Sequence, residues 1–282
     1  MTPLEHRLLC IDTHGFHHIT YYEWPGPSGA PTVLCVHGLT RNGRDFDTLA
    51  AALTRDFRVI CPDMVGRGKS GWLCHGEDYG YPVYINDIVV LMARLGIEEM
   101  HWVGTSMGGL IGMLMAALPD TPVRRFVIND IGPLIAKEGL ERIASYVGQD
   151  PSFPSVEAIE AYLRQVAQSF GPLTDAQWHH LAIHAARKKP DGPLGLAYDP
   201  AIGEAFRHGP VEDVDLWARW DRITSPTLLI RGAKTDLLRA SDAQAMTQRG
   251  PKARLYEVPD AGHAPALMAE DQIAAIRGFL LG

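Results

Sequence analysis

Gly104-Thr105-Ser106-Met107-Gly108 sets a serine between two glycines in the pattern G-x-S-x-G, with the strand-like run His101-Trp102-Val103 before it and a helical pattern after it. A serine in that context sits on a tight turn that exposes its hydroxyl, and the start of the following helix favours negative charge developing nearby. A hydroxyl is a weak nucleophile until a base takes its proton. Asp260-Ala261-Gly262-His263 supplies an imidazole just beyond the last predicted strand. Order separates His263 from the other histidines: it follows Ser106 and a candidate acid, in the sequence nucleophile, acid, histidine.

Two aspartates compete to orient that histidine. Asp236 follows the strand run Thr227-Leu228-Leu229-Ile230-Arg231 through Gly232-Ala233-Lys234-Thr235, which places a carboxylate beyond a strand's carboxyl end. Asp130 follows Phe126-Val127-Ile128-Asn129 in the same sense, but Asn129-Asp130-Ile131-Gly132 also makes a good bend without any catalysis. Asp236 is the preferred acid and Asp130 the alternative. Two backbone N–H groups must face the developing oxyanion. Met107, next after the nucleophile, supplies one, and Leu39, just past His37-Gly38, the other. One imidazole per serine suffices, so His37 reads as a structural loop residue.

Other motifs read as blander features. Gly66-Arg67-Gly68 completes neither a Walker sequence nor G-x-G-x-x-G, so Asp63 to Ser70 is expected to be a tight loop with Arg67 on the surface. His180 and His184 stand i, i+4 apart beside His179, but no glutamate makes an H-E-x-x-H arrangement and no third nearby ligand is compelling. No metal and no cofactor are expected.

The elements that must position these residues are legible as periodicity. RLLCID and HHITYYEW flank Thr13-His14-Gly15 as a hairpin. Val33 to Val36 and Phe57 to Cys61 are buried strands ended by punctuation. Phe46, Leu49, Ala50 and Leu53 form one helical face. Ile88, Leu91, Met92 and Leu95 form another, closed by Gly96. Strands and helices alternating at this spacing imply parallel βα units in a doubly wound sheet. From about residue 135 to 215 the strand rhythm lapses and Ile143, Tyr146 and Val147, then Ile159, Tyr162, Leu163 and Val166, have helical spacing. This predicts a mainly helical insertion over 133–215, within a core of 1–132 and 216–282. Pro226 to Arg231, Arg254 to Val258 and a helix with Ile273, Ile276 and Leu280 complete that core.

Composition excludes some partners. The chain has 282 residues, 46% of them hydrophobic, and a formal charge of -7 without any basic block, so nucleic acid is not an expected partner. Cys10, Cys35, Cys61 and Cys74 form no C-x-x-C pair and are expected as unpaired thiols. The first nine residues carry Glu5, His6 and Arg7 and lead into no long apolar run, so neither a secretory signal nor a membrane anchor is evident and a cytoplasmic location is expected. The oligomeric state is not legible.

Taken in order, VLCVHGL at 33 to 39, PDMVGRGKS at 62 to 70, GTSMGG at 104 to 109, GAKTD at 232 to 236 and GHAP at 262 to 265 resemble the landmarks of the α/β-hydrolase superfamily. The similarity is to its capped serine-hydrolase branch of esterases, lactonases and hydrolases of ring-fission products. The resemblance covers nearly the whole chain. It implies a mostly parallel sheet with a cap inserted after the sixth strand, a covalent acyl-enzyme and no cofactor. Serine at 106 argues against the dehalogenase and epoxide-hydrolase relatives, which carry aspartate there. The cap offers Phe153, Tyr162, Phe170, Trp178, Tyr198, Phe206 and Trp217, half or more of them expected as packing. The expected activity is hydrolysis of a small to medium carboxylic ester. Carbon–carbon cleavage of a ring-fission product is the alternative, with Arg41, Arg44 or Arg187 as a carboxylate clamp, and a non-catalytic small-molecule binding protein is a third reading.

Overall fold

The structure is a computed structural model that describes residues 2–206 and 212–282. The chain opens with the hairpin β1 (Leu4–Ile11) and β2 (Phe16–Trp24) and continues through β3 (Thr32–Val36), α1 (Asp47–Leu53), β4 (Arg58–Asp63) and α2 (Tyr81–Leu95). Next come β5 (Met100–Thr105), α3 (Met107–Ala116) and β6 (Val123–Asn129). The insert follows: β7 (Leu134–Ile135), α4 (Lys137–Tyr146), α5 (Val156–Val166), α6 (Asp175–Ala185), β8 (Ala186–Lys188), β9 (Leu194–Leu196) and β10 (Val214–Asp215). The core resumes with α7 (Trp217–Trp220), β11 (Thr227–Gly232), α8 (Ala240–Met246), β12 (Arg254–Val258) and α9 (Glu270–Leu281).

Eight strands make one sheet in the order β1-β2-β4-β3-β5-β6-β11-β12. β2 runs antiparallel to β1 and β4, and every other pairing is parallel. The sheet separates two apolar cores, which explains why its central strands are continuously apolar rather than alternating. Leu34, Val36, Trp102, Phe126, Ile128 and Leu229 face the side that carries α2 and α3. Val33, Cys35, Val103, Val127, Leu228 and Ile230 face α1 and α9. This is the doubly wound sheet expected from the sequence, with the insertion after the sixth strand.

The insert is less purely helical than its sequence pattern predicts. β8 and β9 form a short hairpin, and β7 pairs antiparallel with β10. Pairs of two or three residues are too short to show a period. α5 and α6 pack on each other around Phe153, Ile159, Trp178 and Leu181, giving the insert its own core. α7 and α8 were not anticipated either. Cys10, Cys35 and Cys61 are buried free thiols and Cys74 is an exposed one. No described helix is long and apolar enough to cross a membrane.

Candidate active site

Ser106 occupies the turn between β5 and α3 with φ 51° and ψ −113°, a conformation L-residues rarely adopt. The flanking glycines make that turn feasible by close approach. A Cβ on Gly108 would lie 2.0 Å from the Val36 carbonyl oxygen, and one on Gly104 would lie 2.3 Å from the carbonyl oxygen of Gly108. The serine is fixed on both sides, its N–H donating to the Asn129 carbonyl at 3.0 Å and its carbonyl accepting from Leu110 N–H at 3.0 Å.

His263 reaches the serine from the loop after β12, with Nε2 2.9 Å from Ser106 Oγ. Its Nδ1 lies 2.8 Å from Oδ2 of Asp130, not of Asp236. Since an ionised carboxylate only accepts, the network assigns the proton to Nδ1 and leaves Nε2 free to accept from the hydroxyl. Asp130 is fully buried and also accepts from Gly232 N–H at 2.7 Å and Thr235 Oγ1 at 2.6 Å. The carboxylate that stands against His263 is thus Asp130, the alternative of the sequence reading, and not Asp236, its preferred acid. Strand order supplies the reason: β6 lies directly beside the nucleophile's strand β5, whereas β11 is one place farther out. The bend at Asn129-Asp130, with φ 54° at Asp130, turns the carboxylate inward. Asp236 is exposed and faces the cap, where Arg142 Nε donates to it at 2.7 Å. The loop singled out in the sequence still serves the site, but through Thr235 rather than Asp236.

Leu39 lines the cavity above the serine, and Met107 is the first residue of α3. Among the described residues, neither N–H donates to a backbone carbonyl or a side chain, which leaves both for an incoming oxygen. The loop carrying Leu39 is tied down twice. His37 Nδ1–H donates to the Gly38 carbonyl at 2.7 Å while Nε2 accepts from Met64 N–H at 2.9 Å. Burial, and then the positive charge of Arg67, hold the His37 imidazole down at about 3, so it is a neutral structural brace and not a second base.

The second tie corrects the sequence reading. Arg67 is not on the surface but completely buried, because its fork finds partners on three sides. Nε donates to the Leu39 carbonyl at 2.9 Å, and Nη1 to the Val65 carbonyl at 2.7 Å and the Tyr84 hydroxyl at 2.9 Å. Its guanidinium also stacks over the rings of Tyr79 and Tyr84. Two further residues escaped the sequence reading. Asn129 Nδ2 donates to Thr105 Oγ1 and to the Pro265 carbonyl, joining the serine turn to the histidine loop. Ser169, from the cap, accepts the Gly262 N–H at its carbonyl and donates its hydroxyl to the His263 carbonyl. No motif announces such contacts, since each joins segments far apart in sequence.

The triad opens into a cavity of about 300 Å³ between sheet and cap, at the small end of the roughly 300–1,000 Å³ range of small-molecule sites. Tyr162, Phe170 and Tyr198 contribute to its wall. Phe153 and Trp178 pack inside the cap, and Phe206 and Trp217 pack against the larger sheet core. The three arginines proposed as clamps each hold a carboxylate of the protein itself: Arg41 holds Asp45, Arg44 holds Asp47 and Arg187 holds Asp150. His180 and His184 do meet a third candidate ligand, Asp47, with donor atoms within 4.8 Å of one another, but Arg44 already occupies that carboxylate.

Residues 31–268 match the model of the alpha/beta hydrolase fold. The chain belongs to the α/β-hydrolase fold family. Among its α/β-hydrolase relatives, a 3-hydroxybutyrate-oligomer hydrolase of Cupriavidus necator is 44% identical over 97% of this chain and 96% of its own. A solved structure from Rickettsia typhi superposes with a TM-score of 0.91 at 31% identity, covering 100% of this chain and 99% of that one. An alpha/beta hydrolase from Novosphingobium aromaticivorans does so with a TM-score of 0.87 at 36% identity, over 98% of each chain. Hydrolase-type relatives of full length support a catalytic role on a small-molecule substrate for this α/β-hydrolase.

Proposed function

We propose that the protein is a serine carboxylic-ester hydrolase acting through Ser106, His263 and Asp130, and that its substrates are short ester oligomers of a 3-hydroxy acid. The observation that carries the reaction class is the unbroken hydrogen-bond chain from Ser106 Oγ through His263 to buried Asp130, opening into the cavity. The substrate class rests on the Cupriavidus necator relative, alike along almost the whole of both chains.

In the mechanism, His263 Nε2 takes the hydroxyl proton as Oγ attacks the ester carbonyl, and Asp130 steadies the imidazolium that results. The oxyanion rests on the N–H groups of Leu39 and Met107. Collapse of the tetrahedral intermediate breaks the acyl–oxygen bond, and His263 returns the proton to the departing 3-hydroxyl. Water then attacks the acyl-serine by the same route and releases the acid.

The test pairs p-nitrophenyl butyrate with the linear dimer and trimer of 3-hydroxybutyrate. Wild-type protein turns over both classes many times. Ser106→Ala lowers kcat on the order of 10⁴-fold or more while leaving the thermal midpoint in place. Unchanged turnover in that variant overturns the nucleophile. Turnover of the p-nitrophenyl ester with none of the oligomers overturns the substrate class alone. Stoichiometric binding without turnover of any ester favours the non-catalytic reading.

A further inference from the structure

We infer that Arg142, on the cap helix α4, is the binding site for the free carboxylate end of the substrate, and that Asp236 competes with that carboxylate for the guanidinium. The inference rests on the ester-oligomer reading above and adds to it the residue that tells a free acid from a neutral ester.

Among the described residues two arginines line the cavity, Arg41 and Arg142, and they differ in how firmly they are held. Arg41 grips Asp45 through two bonds of 2.7 Å, from Nε and Nη2, with both side chains largely buried and only four residues apart. That pair is a closed unit of the core. Arg142 instead reaches from the cap to the core, with Nε 2.7 Å from Asp236 Oδ2 and Nη2 3.2 Å from Oδ1. These side chains are 41% and 59% exposed. An ion pair that open to water is held weakly, so its carboxylate is easily exchanged.

A linear oligomer of a hydroxy acid ends in a carboxylate, and that group can take the two Arg142 bonds that Asp236 makes, in the same bidentate geometry. Asp236, already mostly exposed, passes to water at little cost. Ile143 and Tyr146 also line the cavity from α4, so the same helix that offers the guanidinium borders the space leading to Ser106. The side chain singled out in the sequence as the triad acid thereby acquires a different role, as a mimic of the substrate's own carboxylate.

The experiment measures kcat/KM for the free-acid trimer of 3-hydroxybutyrate and for the methyl ester of the same trimer, in wild type, Arg142→Gln and Asp236→Asn. General damage to the site cancels in the ratio of the two. Arg142→Gln lowers the free-acid to methyl-ester ratio at least ten-fold, mainly through KM for the free acid, and Arg142→Lys restores part of it. Asp236→Asn raises the ratio, because it removes the competing carboxylate. An Arg142→Gln ratio within two-fold of wild type overturns the inference while leaving the esterase reading intact. Failure of wild type to cleave either trimer while it cleaves p-nitrophenyl butyrate overturns the substrate class, and the inference with it.

Discussion

Asp130 Oδ2 lies 2.8 Å from Nδ1 of His263, and the same oxygen accepts from the Thr235 hydroxyl at 2.6 Å. The carboxylate is therefore held in a set position before the imidazole arrives. Asparagine at 130 preserves the shape but presents an amide that can donate, which favours the wrong tautomer of His263 and removes the charge that stabilises imidazolium. Asp130→Asn is expected to lower kcat on the order of 10³–10⁴-fold, and Asp236→Asn to leave p-nitrophenyl ester turnover within about five-fold of wild type. Steady-state kinetics of the two variants decide the matter, and the reverse ranking would restore Asp236 as the acid.

Arg67 holds the Leu39 carbonyl and thus the loop whose N–H is proposed to receive the oxyanion. Lysine keeps the charge but cannot reach the Leu39 and Val65 carbonyls and the Tyr84 hydroxyl from one planar group. Arg67→Lys is expected to cost about 1–3 kcal/mol of stability for buried acceptors left unpaired, and to lower kcat more than it raises KM. Denaturant unfolding and initial rates give the two readings. A variant of wild-type stability and wild-type kcat would show that the brace is dispensable.

Two glycines test packing in opposite directions. Gly108→Ala places a methyl group 2.0 Å from the backbone oxygen of Val36, so α3 cannot seat on the sheet and soluble folded protein is expected to be lost. Gly278 lies on the exposed side of α9 with open space around its would-be Cβ. Gly278→Ala is expected to stabilise by about 0.5–1 kcal/mol, the helix-interior preference for alanine. A thermal midpoint that falls in Gly278→Ala would contradict the account of that helix.

His37 gives a pH dependence of definite sign. Its folded value is depressed to about 3 from an ordinary 6.5. Between those values the unfolded chain binds the proton and the folded one does not, so stability falls as pH falls through that window. The slope contributed is up to about 1.4 kcal/mol per pH unit. Asp63, buried and pushed up to about 6 from 3.8, acts with the opposite sign between its own two values, so the effect is read by difference. His37→Gln keeps an acceptor for Met64 N–H and cannot titrate. Relative to wild type its stability should decline less between pH 6.5 and 4 in urea melts, and parallel profiles would count against a neutral His37.

Ser106 and His263 were legible in the sequence because each sits in a local pattern that encodes a backbone shape. The acid was not. Asp130 and Asp236 both follow strands, and choosing between them requires knowing that β6 lies next to β5, which no local pattern states. The bend that made Asp130 look merely structural is what aims its carboxylate. Arg67 failed for a similar reason, since a charged residue between glycines reads as surface until Leu39, Val65 and Tyr84 are seen to converge on it. The core strands and long helices were visible through unbroken apolar periodicity, whereas β7 to β10 are shorter than any period.

The pairing of β7 with β10 brings Leu134 and Ile135 against Asp215 and Val214, and Leu216 N–H donates to the Pro133 carbonyl at 2.6 Å. Both ends of the insert are thus fastened together at one spot beside the core, like the two leads of a plug. Whatever lies between them can vary without altering the order of the sheet, so long as a partner for the Gly262 N–H and the His263 carbonyl, here Ser169, is kept. Recombination would therefore exchange one cap for another on this scaffold as a cassette, with the contacts to the histidine loop as the seam that an incoming segment has to restore.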